Sequence, residues 1–448
     1  MTGETEAAPG FAAGALASAA RGLGRALDRL APARGFDALD APALLGERAA
    51  LFGLVRRGRI SCGGSARLLL TRAGWLALHL PRDDDWSLVP AWLEGAVGSE
   101  LCDRASDRER AWRAIERALA DRTAAPLVSR GREIGLAIAD AAPRPRPATL
   151  PFRLDHATRT APSTPSATHA GASLRPPLCA HDAGHTNGIG DLRVLDLSNL
   201  WAGPLAGALL AQAGAEVLKV ESPKRPDGAR AGEARFFDLL NADKHGCALD
   251  LARAEDLALF FELLESADVV LESNRPRALA QLGIDARAWL ARRPGRIWAS
   301  ITGYGRDHEW IAFGDDAAVA AGLAFDPTGA ALPPRFCADA IADPLTGLTA
   351  AAAILALRAQ GRGGLLGLAL ADVAAYAANA ANAADLTADP TAANATTLPV
   401  TRQAGAWQVH AGHAVIPVAA PRARTPRGCA PDLAPPGAAL LAAWTRAC

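Results

Sequence analysis

Two aspartates, Asp339 and Asp343, flank a short Ala-Ile-Ala run just before Pro344, and a second pair, Asp315 and Asp316, lies between a loop and a helix. An ionised, positioned carboxylate can act as a covalent nucleophile toward an activated acyl group. Pro344 suits the first position of the long alanine-rich helix that follows, which makes Asp343 the N-cap by position. There its carboxylate accepts N–H groups near Thr346 and meets the positive end of the helix dipole, which keeps it ionised. Spacing alone leaves capping and nucleophilic roles both open, and capping is the simpler of the two. One of Asp315 and Asp316 likewise serves as a helix cap.

The elements that must position these groups begin at residue 188. Val194 to Leu197 (VLDL) suits a buried strand, Ser198 to Gly203 a turn, and Pro204 the first turn of a helix that ends at Gly214. A second strand, Glu216 to Glu221, follows. This strand–turn–helix–strand unit has the size of a βαβ crossover of about 30 residues, and ligands gather at such turns. The turn lacks GxGxxG and GxxxxGK[ST], so neither a dinucleotide fingerprint nor a P-loop is present, and Glu221 alone is weak support for a ribose site. The chain also has no GxSxG elbow and no HExxH. Strands DVVLES, IWASIT and LGLALADV alternate with helices beyond it, which predicts a parallel sheet covered on both faces.

The first 141 residues read differently. Helices are expected over 11–30, 42–55, 107–121 and 125–135, with ARLLL and GWLALHL as a hairpin or two sheet strands. Asp83, Asp84 and Asp85 read as the acidic first turn of a helix rather than a metal site. Residues 142–187 are rich in Pro, Ser, Thr and Ala and predict an extended linker. His156, His169, His181 and His185 in or beside it fit no zinc template and read as solvated loop histidines. Beyond Tyr376 an alanine-rich helix and an irregular tail are expected.

Bulk properties set outer bounds. The 448 residues carry 47 Lys+Arg and 47 Asp+Glu, a formal balance that argues against nucleic-acid or acidic-membrane binding through net charge. Seven cysteines without CxxC or His/Cys ligand spacing read as free thiols in a reducing compartment. There is no 18-residue uncharged apolar run and no basic leader, so the expectation is a soluble cytoplasmic protein.

Residues 191–372 resemble the family III CoA-transferases, the group that includes formyl-CoA transferase, carnitine CoA-transferase and α-methylacyl-CoA racemase. The motifs, in family order, are VLDLSNLWAGPLAGALLAQAGAEVLKVESP, Arg230, FFDLLNADKHGCALDL, ADVVLESNRPRALAQLGID, ASITGYG, GDDAAVAAG and ADPLTGLTAAAAILALRAQGRGG. The resemblance implies an α/β fold with a Rossmann-like parallel-sheet large domain and a smaller α+β domain. It implies a CoA thioester as substrate with no tightly bound cofactor and no metal, a small carboxylate as partner, and an interlocked homodimer. It makes Asp343 the nucleophile, forming aspartyl-acyl and aspartyl-CoA intermediates, with Asp316 beside it. It assigns CoA contacts to Asn199, Trp201, Ala202, Arg225 or Arg230, Leu240 and Lys244.

Two departures stand out. Racemases of the family carry a His-Asp pair where this chain has Asp315-Asp316, which argues against proton shuttling at a substrate α-carbon. The small-domain-like segment around Cys62-Gly63-Gly64 and GWLALHLPRDDDW precedes the large domain, so the order looks permuted, and Cys62-Gly63-Gly64 stands in for the family's glycine loop. The expected organisation is a small-domain-like module at 1–141, a linker at 142–187, a CoA-binding domain at 188–375 and a helix with tail at 376–448. Transfer of CoA from an acyl-CoA to a carboxylate is the expected activity. The alternatives are an acyl-CoA racemase or isomerase using Asp316 and Asp343, and a non-catalytic CoA-binding homologue.

Overall fold

Short apolar runs that cannot face water on either side dictate the centre of the molecule. In the computed structural model, which describes residues 15–99, 105–141, 148, 150–159, 189–325, 332–384, 399–403, 405–411 and 413–445, these runs form one large sheet. Its parallel strands are β5 (Arg193–Leu197), β6 (Glu216–Glu221), β7 (His245–Ala248), β8 (Val269–Glu272), β9 (Ile297–Thr302) and β10 (Arg362–Ala369). They lie in the order β7-β6-β5-β8-β9-β10, the 3-2-1-4-5-6 arrangement of doubly wound sheets. Burial of β8 along its whole length shows why such strands read as continuous hydrophobic runs. The order reverses between β5 and β8, and there the turn after β5 is stitched to the strand beside it: the Asn199 amide donates to Ser273 Oγ at 3.0 Å.

Helices cover both faces. On one face, helix Ala202–Ala213 packs along helix Ala342–Ala359, and both are apolar nearly all round. Their contact depends on Gly347, where a Cβ would come within 2.7 Å of the Ala202 carbonyl oxygen. On the other face, Phe260, Trp289, Trp298 and Trp444 form a second core layer.

The N-terminal module is an antiparallel sheet, β1 (Ala66–Leu70), β2 (Trp75–His79) and β3 (Ala137–Ala141). Period-two alternation splits its side chains cleanly. Leu69, Leu76, Leu78 and Ile138 face the module's own helices, Asp83–Trp92, Arg108–Leu119 and Ala124–Glu133. Ala66, Leu68, Ala77 and Ala139 face Val319 and Phe336 of the large domain. The small side chains on this second face let helix Gly314–Ala320 pack directly against β2 and β3.

Three expectations change here. The helix over 42–55 is broken into Ala41–Leu44 and Glu47–Phe52, with Gly46 between them. The linker at 142–187 contains β4 (Arg153–Arg159), which joins the large sheet as an antiparallel edge strand on β10. An edge strand needs only backbone pairing on one side, so its exposed side chains carry no apolar period to read. His156 sits on this strand with φ +51° and an exposed side chain, while His169, His181 and His185 lie outside the described residues. The tail is not wholly irregular: β11 (Val400–Gln403), β12 (Ala406–Ala411) and β13 (Ala414–Pro417) form a meander, and helix Ala438–Thr445 buries Trp444.

Gly347→Ala is expected to push helices Ala202–Ala213 and Ala342–Ala359 apart at a cost of about 1–3 kcal/mol, read as a lowered thermal midpoint. An unchanged midpoint would show that the two helices have room for the methyl group.

Candidate functional site

Four buried or nearly buried carboxylates converge at the start of helix Ala342–Ala359. Asp343 lies in its first turn, with its amide bonded to the Ala340 carbonyl at 2.9 Å. The N-cap position belongs to Ile341, and Asp343 makes no side-chain cap, because the chain enters helical geometry two residues before Pro344. Its carboxylate instead rests on the backbone of Gly314, where a Cβ would stand 2.1 Å from Oδ2. Only glycine fits there. Burial pushes the Asp343 carboxyl up to about 7; Arg48 opposes the rise, while Asp315, Asp339 and Asp316 add to it. This reverses the expectation of a dipole-stabilised, fully ionised group.

The other three acids are held by the loops around it. Asp339 is flanked by Ala338 (φ +58°) and Ala340 (φ +43°), two non-glycine residues in the left-handed region, so the loop carries backbone strain beside the acid cluster. Burial raises Asp339 to about 6, with Arg48 lowering and Asp315 raising it. Asp315 Oδ1 accepts the Ala340 amide at 2.9 Å, and burial raises that carboxyl too. Asp316, the third residue of its helix, accepts the amide of the N-cap residue Phe313 on Oδ1 at 2.9 Å, and it also receives His79 Nδ1 at 3.1 Å.

The N-terminal segments close over this cluster within the same chain. Arg48, on helix Glu47–Phe52, places Nη1 3.4 Å from Asp339 Oδ1 and lies 5.8 Å from the Trp201 ring centroid. Cys62 Sγ donates to the Ala338 carbonyl at 3.1 Å, and a Cβ on Gly63 would meet Arg48 at 3.2 Å. The Cys62-Gly63-Gly64 loop therefore does border the acid cluster. Burial, then the charges of Asp339 and Asp315, raise the Cys62 thiol to about 12, which keeps it protonated and a poor nucleophile.

The turn after β5 sits beside the cluster, joined to it through the Ala202–Gly347 contact and through Trp201 and Arg48. Leu200 adopts φ +69° and its amide donates to Asp227 Oδ1 at 2.9 Å. Beneath lie two buried lysines. Lys219 donates to the Ser198 carbonyl at 2.7 Å and to Asp227 at 3.0 Å. Lys244 donates to Asp196 Oδ2 at 2.7 Å, the Pro204 carbonyl at 2.9 Å and Asn241 Oδ1 at 2.9 Å. An ammonium has three N–H donors, and those of Lys244 all go to the protein. It braces the turn from below and has no donor left for a phosphate.

The other residues marked for CoA differ in how they are presented. Trp201 is buried edge-on to Phe236 at 5.4 Å between centroids, and Ala202 opens the helix after the turn. Leu240 is fully buried in the core, so its side chain offers nothing to a ligand. Arg230 grips Glu221 through Nε and Nη2, reaches the Pro431 carbonyl at 3.0 Å and stacks on Phe237, yet stays partly exposed. Arg225 is exposed. Arg48, His79 and Ser65 enter the neighbourhood without having been marked in the sequence. For His79 a signal existed: alternation in WLALH places it on the face of Ala77, toward helix Gly314–Ala320. Among the described residues no group of His, Cys, Asp and Glu could hold a metal ion.

Comparison with known proteins adds an independent line. Residues 189–430, more than half of the chain, match CoA-transferase family III. A succinate–glutarate CoA-transferase of Agrobacterium fabrum is 33% identical over 184 residues, covering 37% of this chain and 45% of the relative. A succinyl-CoA–D-citramalate CoA-transferase of Chloroflexus aurantiacus is 32% identical over 185 residues, covering 39% and 46%. The chain thus spans about half the length of these relatives. A crystal structure of a CAIB/BAIF family protein from Brucella suis matches at 28% identity with a TM-score of 0.42, covering 49% of this chain and 65% of that one.

The raised carboxyl of Asp343 has a consequence for stability. Below its ordinary value of 3.8 the group is protonated whether the chain is folded or not; from there to about 7 only the folded state keeps the proton. Folding stability therefore falls as pH rises through that window. Asp343→Asn, neutral throughout, is expected to gain in thermal midpoint relative to the natural chain on going from pH 5 to pH 8. A difference independent of pH would contradict the buried, proton-holding carboxyl.

Proposed function

The chain belongs to CoA-transferase family III, and from that premise we propose that it moves CoA from an acyl-CoA thioester to a small carboxylate acceptor, with Asp343 as the nucleophile. The observation that carries this reading is the seat of Asp343. Its carboxylate rests on a glycine backbone at the start of a helix that touches the turn after β5. In the reaction, an Asp343 oxygen attacks the thioester carbonyl, the C–S bond breaks and CoA leaves as thiolate, giving a mixed anhydride. The thiolate then attacks the aspartyl carbonyl, releasing the donor carboxylate and leaving CoA on Asp343. The acceptor carboxylate repeats the two steps in reverse and departs as its own CoA thioester.

The ionised form is the nucleophile, so a group titrating near 7 is reactive at neutral pH only in part, and Arg48 is the nearby cation that favours ionisation. The carrier lies against the turn Asn199 to Ala202, with Arg225 and the exposed side of Arg230 available to phosphate. The strand order supports a Rossmann-like domain, with the turn at its switch point. His79 Nε2 is engaged by Ser65 Oγ at 2.9 Å, which favours transfer over racemisation. Among the described residues no helix is long and apolar enough to cross a membrane. An interlocked homodimer in the cytoplasm is the setting proposed for the enzyme.

Mixing the protein with an acyl-CoA should leave a hydroxylamine-sensitive adduct on Asp343, located by peptide mass spectrometry. Asp343→Ala should lose transfer by about a thousandfold or more. Transfer at the natural rate in that variant would sink the mechanism. The pH profile of kcat/KM should rise through a group near 7, and Arg48→Gln should move that limb to higher pH. A limb that stays in place would remove Arg48 from the account.

A further inference from the structure

We infer that Ser65, His79 and Asp316 form a second nucleophilic site, a serine acyl-transfer centre that hydrolyses activated acyl groups. The three side chains form one hydrogen-bonded chain. Ser65 Oγ lies 2.9 Å from His79 Nε2, and His79 Nδ1 lies 3.1 Å from Asp316 Oδ1. Asp316 Oδ1 already accepts the Phe313 amide, so it acts toward the imidazole as an acceptor, and Nδ1 carries the proton. That tautomer leaves the Nε2 lone pair for the serine hydroxyl. Nucleophile, base and orienting carboxylate are therefore in the relation by which such triads are recognised, from geometry rather than sequence position.

Burial is graded in the way the chemistry requires. Asp316 is fully buried and His79 is 5% exposed, wedged edge-on against Phe313 at 4.9 Å, so the imidazole has one orientation. Ser65, at the end of the Cys62-Gly63-Gly64 loop, is partly exposed and can meet a substrate. Gly64 takes φ +84° in that loop, and its amide donates to the Ser61 carbonyl at 2.8 Å. Among the described residues the Gly63 and Ser65 amides donate to no protein acceptor, which leaves them for the oxygen of a tetrahedral intermediate.

The three residues come from three places: the loop before β1, the end of β2 and helix Gly314–Ala320. The site exists only when the N-terminal module is docked on the large domain. Because the same loop borders the Asp343 cluster, the substrate class we assign is a small acyl thioester of CoA, and that choice rests on the transferase reading. Ser65 Oγ attacks the thioester carbonyl while His79 Nε2 takes the hydroxyl proton. The C–S bond breaks, His79 returns the proton to the departing thiolate, and Ser65 carries the acyl ester. Water then attacks the ester with His79 again taking a proton, the Ser65–acyl bond breaks, Oγ regains its proton, and a free carboxylate leaves.

The test uses the full chain in three measurements. Treatment with a fluorophosphonate should label Ser65, identified by peptide mass spectrometry, and His79→Gln should abolish the label. The protein should hydrolyse p-nitrophenyl acetate, which needs no CoA site. It should also release CoA from acetyl-CoA without any carboxylate acceptor, and Ser65→Ala should lower both rates about a hundredfold or more. Absence of the Ser65 label in the natural chain, or unchanged hydrolysis in Ser65→Ala, would overturn the proposal whatever the variants' folding. Labelling and ester hydrolysis without any CoA transfer would leave this site standing and remove the transferase reading; transfer without labelling would do the opposite.

Discussion

Crowding of like charge is the constraint around which this molecule is built. Asp315, Asp339 and Asp343 crowd one buried volume beside Asp316, and burial raises the carboxyl of each of the first three. The surrounding structure offsets that cost piece by piece. Arg48 sets a guanidinium against Asp339, the Ala340 amide serves Asp315, and His79 with the Phe313 amide serves Asp316. Among the described residues Asp343 receives neither a side-chain capping bond nor an ion pair, and its carboxylate sits on glycine backbone. A carboxylate left short of partners in a dry site is poised to gain from reaction with an acyl carbon.

The same logic runs in reverse under the turn after β5. Lys219 and Lys244 are buried as completely as the acids, but Lys219 makes two hydrogen bonds there and Lys244 is saturated by three. Burial lowers Lys244 to about 8, while Lys244 and Lys219 together outweigh burial at Asp196 and hold its carboxyl below the usual range. Breaking such a pair strands a charge, so these lysines fix the shape of the turn rather than its affinity. Braced from below, the turn can present its backbone and the exposed Leu200 at the switch point of the sheet.

Docking of the N-terminal module on the large domain has a physical consequence. β2 carries a polar residue, His79, at the end of an otherwise apolar inward face, and that residue meets Asp316 only because Ala66, Ala77 and Ala139 let the large domain approach. The interface is thus specified by a buried polar contact set in a patch of small side chains. The C-terminal tail adds a further clamp: Arg424 grips Glu47 through both oxygens, on the helix that carries Arg48.

Much of the architecture was legible in the residues. The turn around Trp201, the alternation of strands and helices and the placement of Asp343 at the start of a long helix all follow from local patterns, because continuous apolar runs and short motifs act over a few residues. Alternation in WLALH even marked the face on which His79 lies. Edge strand β4 and the meander at the tail were not legible, since exposed strands need backbone pairing and no hydrophobic period. Roles that depend on burial were reversed or missed: Asp343 read as an ionised cap and is a proton-holding group, and Lys244 read as a CoA contact and is a saturated brace. Arg48, Ser65 and His79 belong to elements more than 200 residues from the aspartates they serve. Sequence alone determined which residues could do chemistry and on which local element each stands. Only the tertiary structure decided which of them share a dry volume, and desolvation in that volume is what sets their charge and their use.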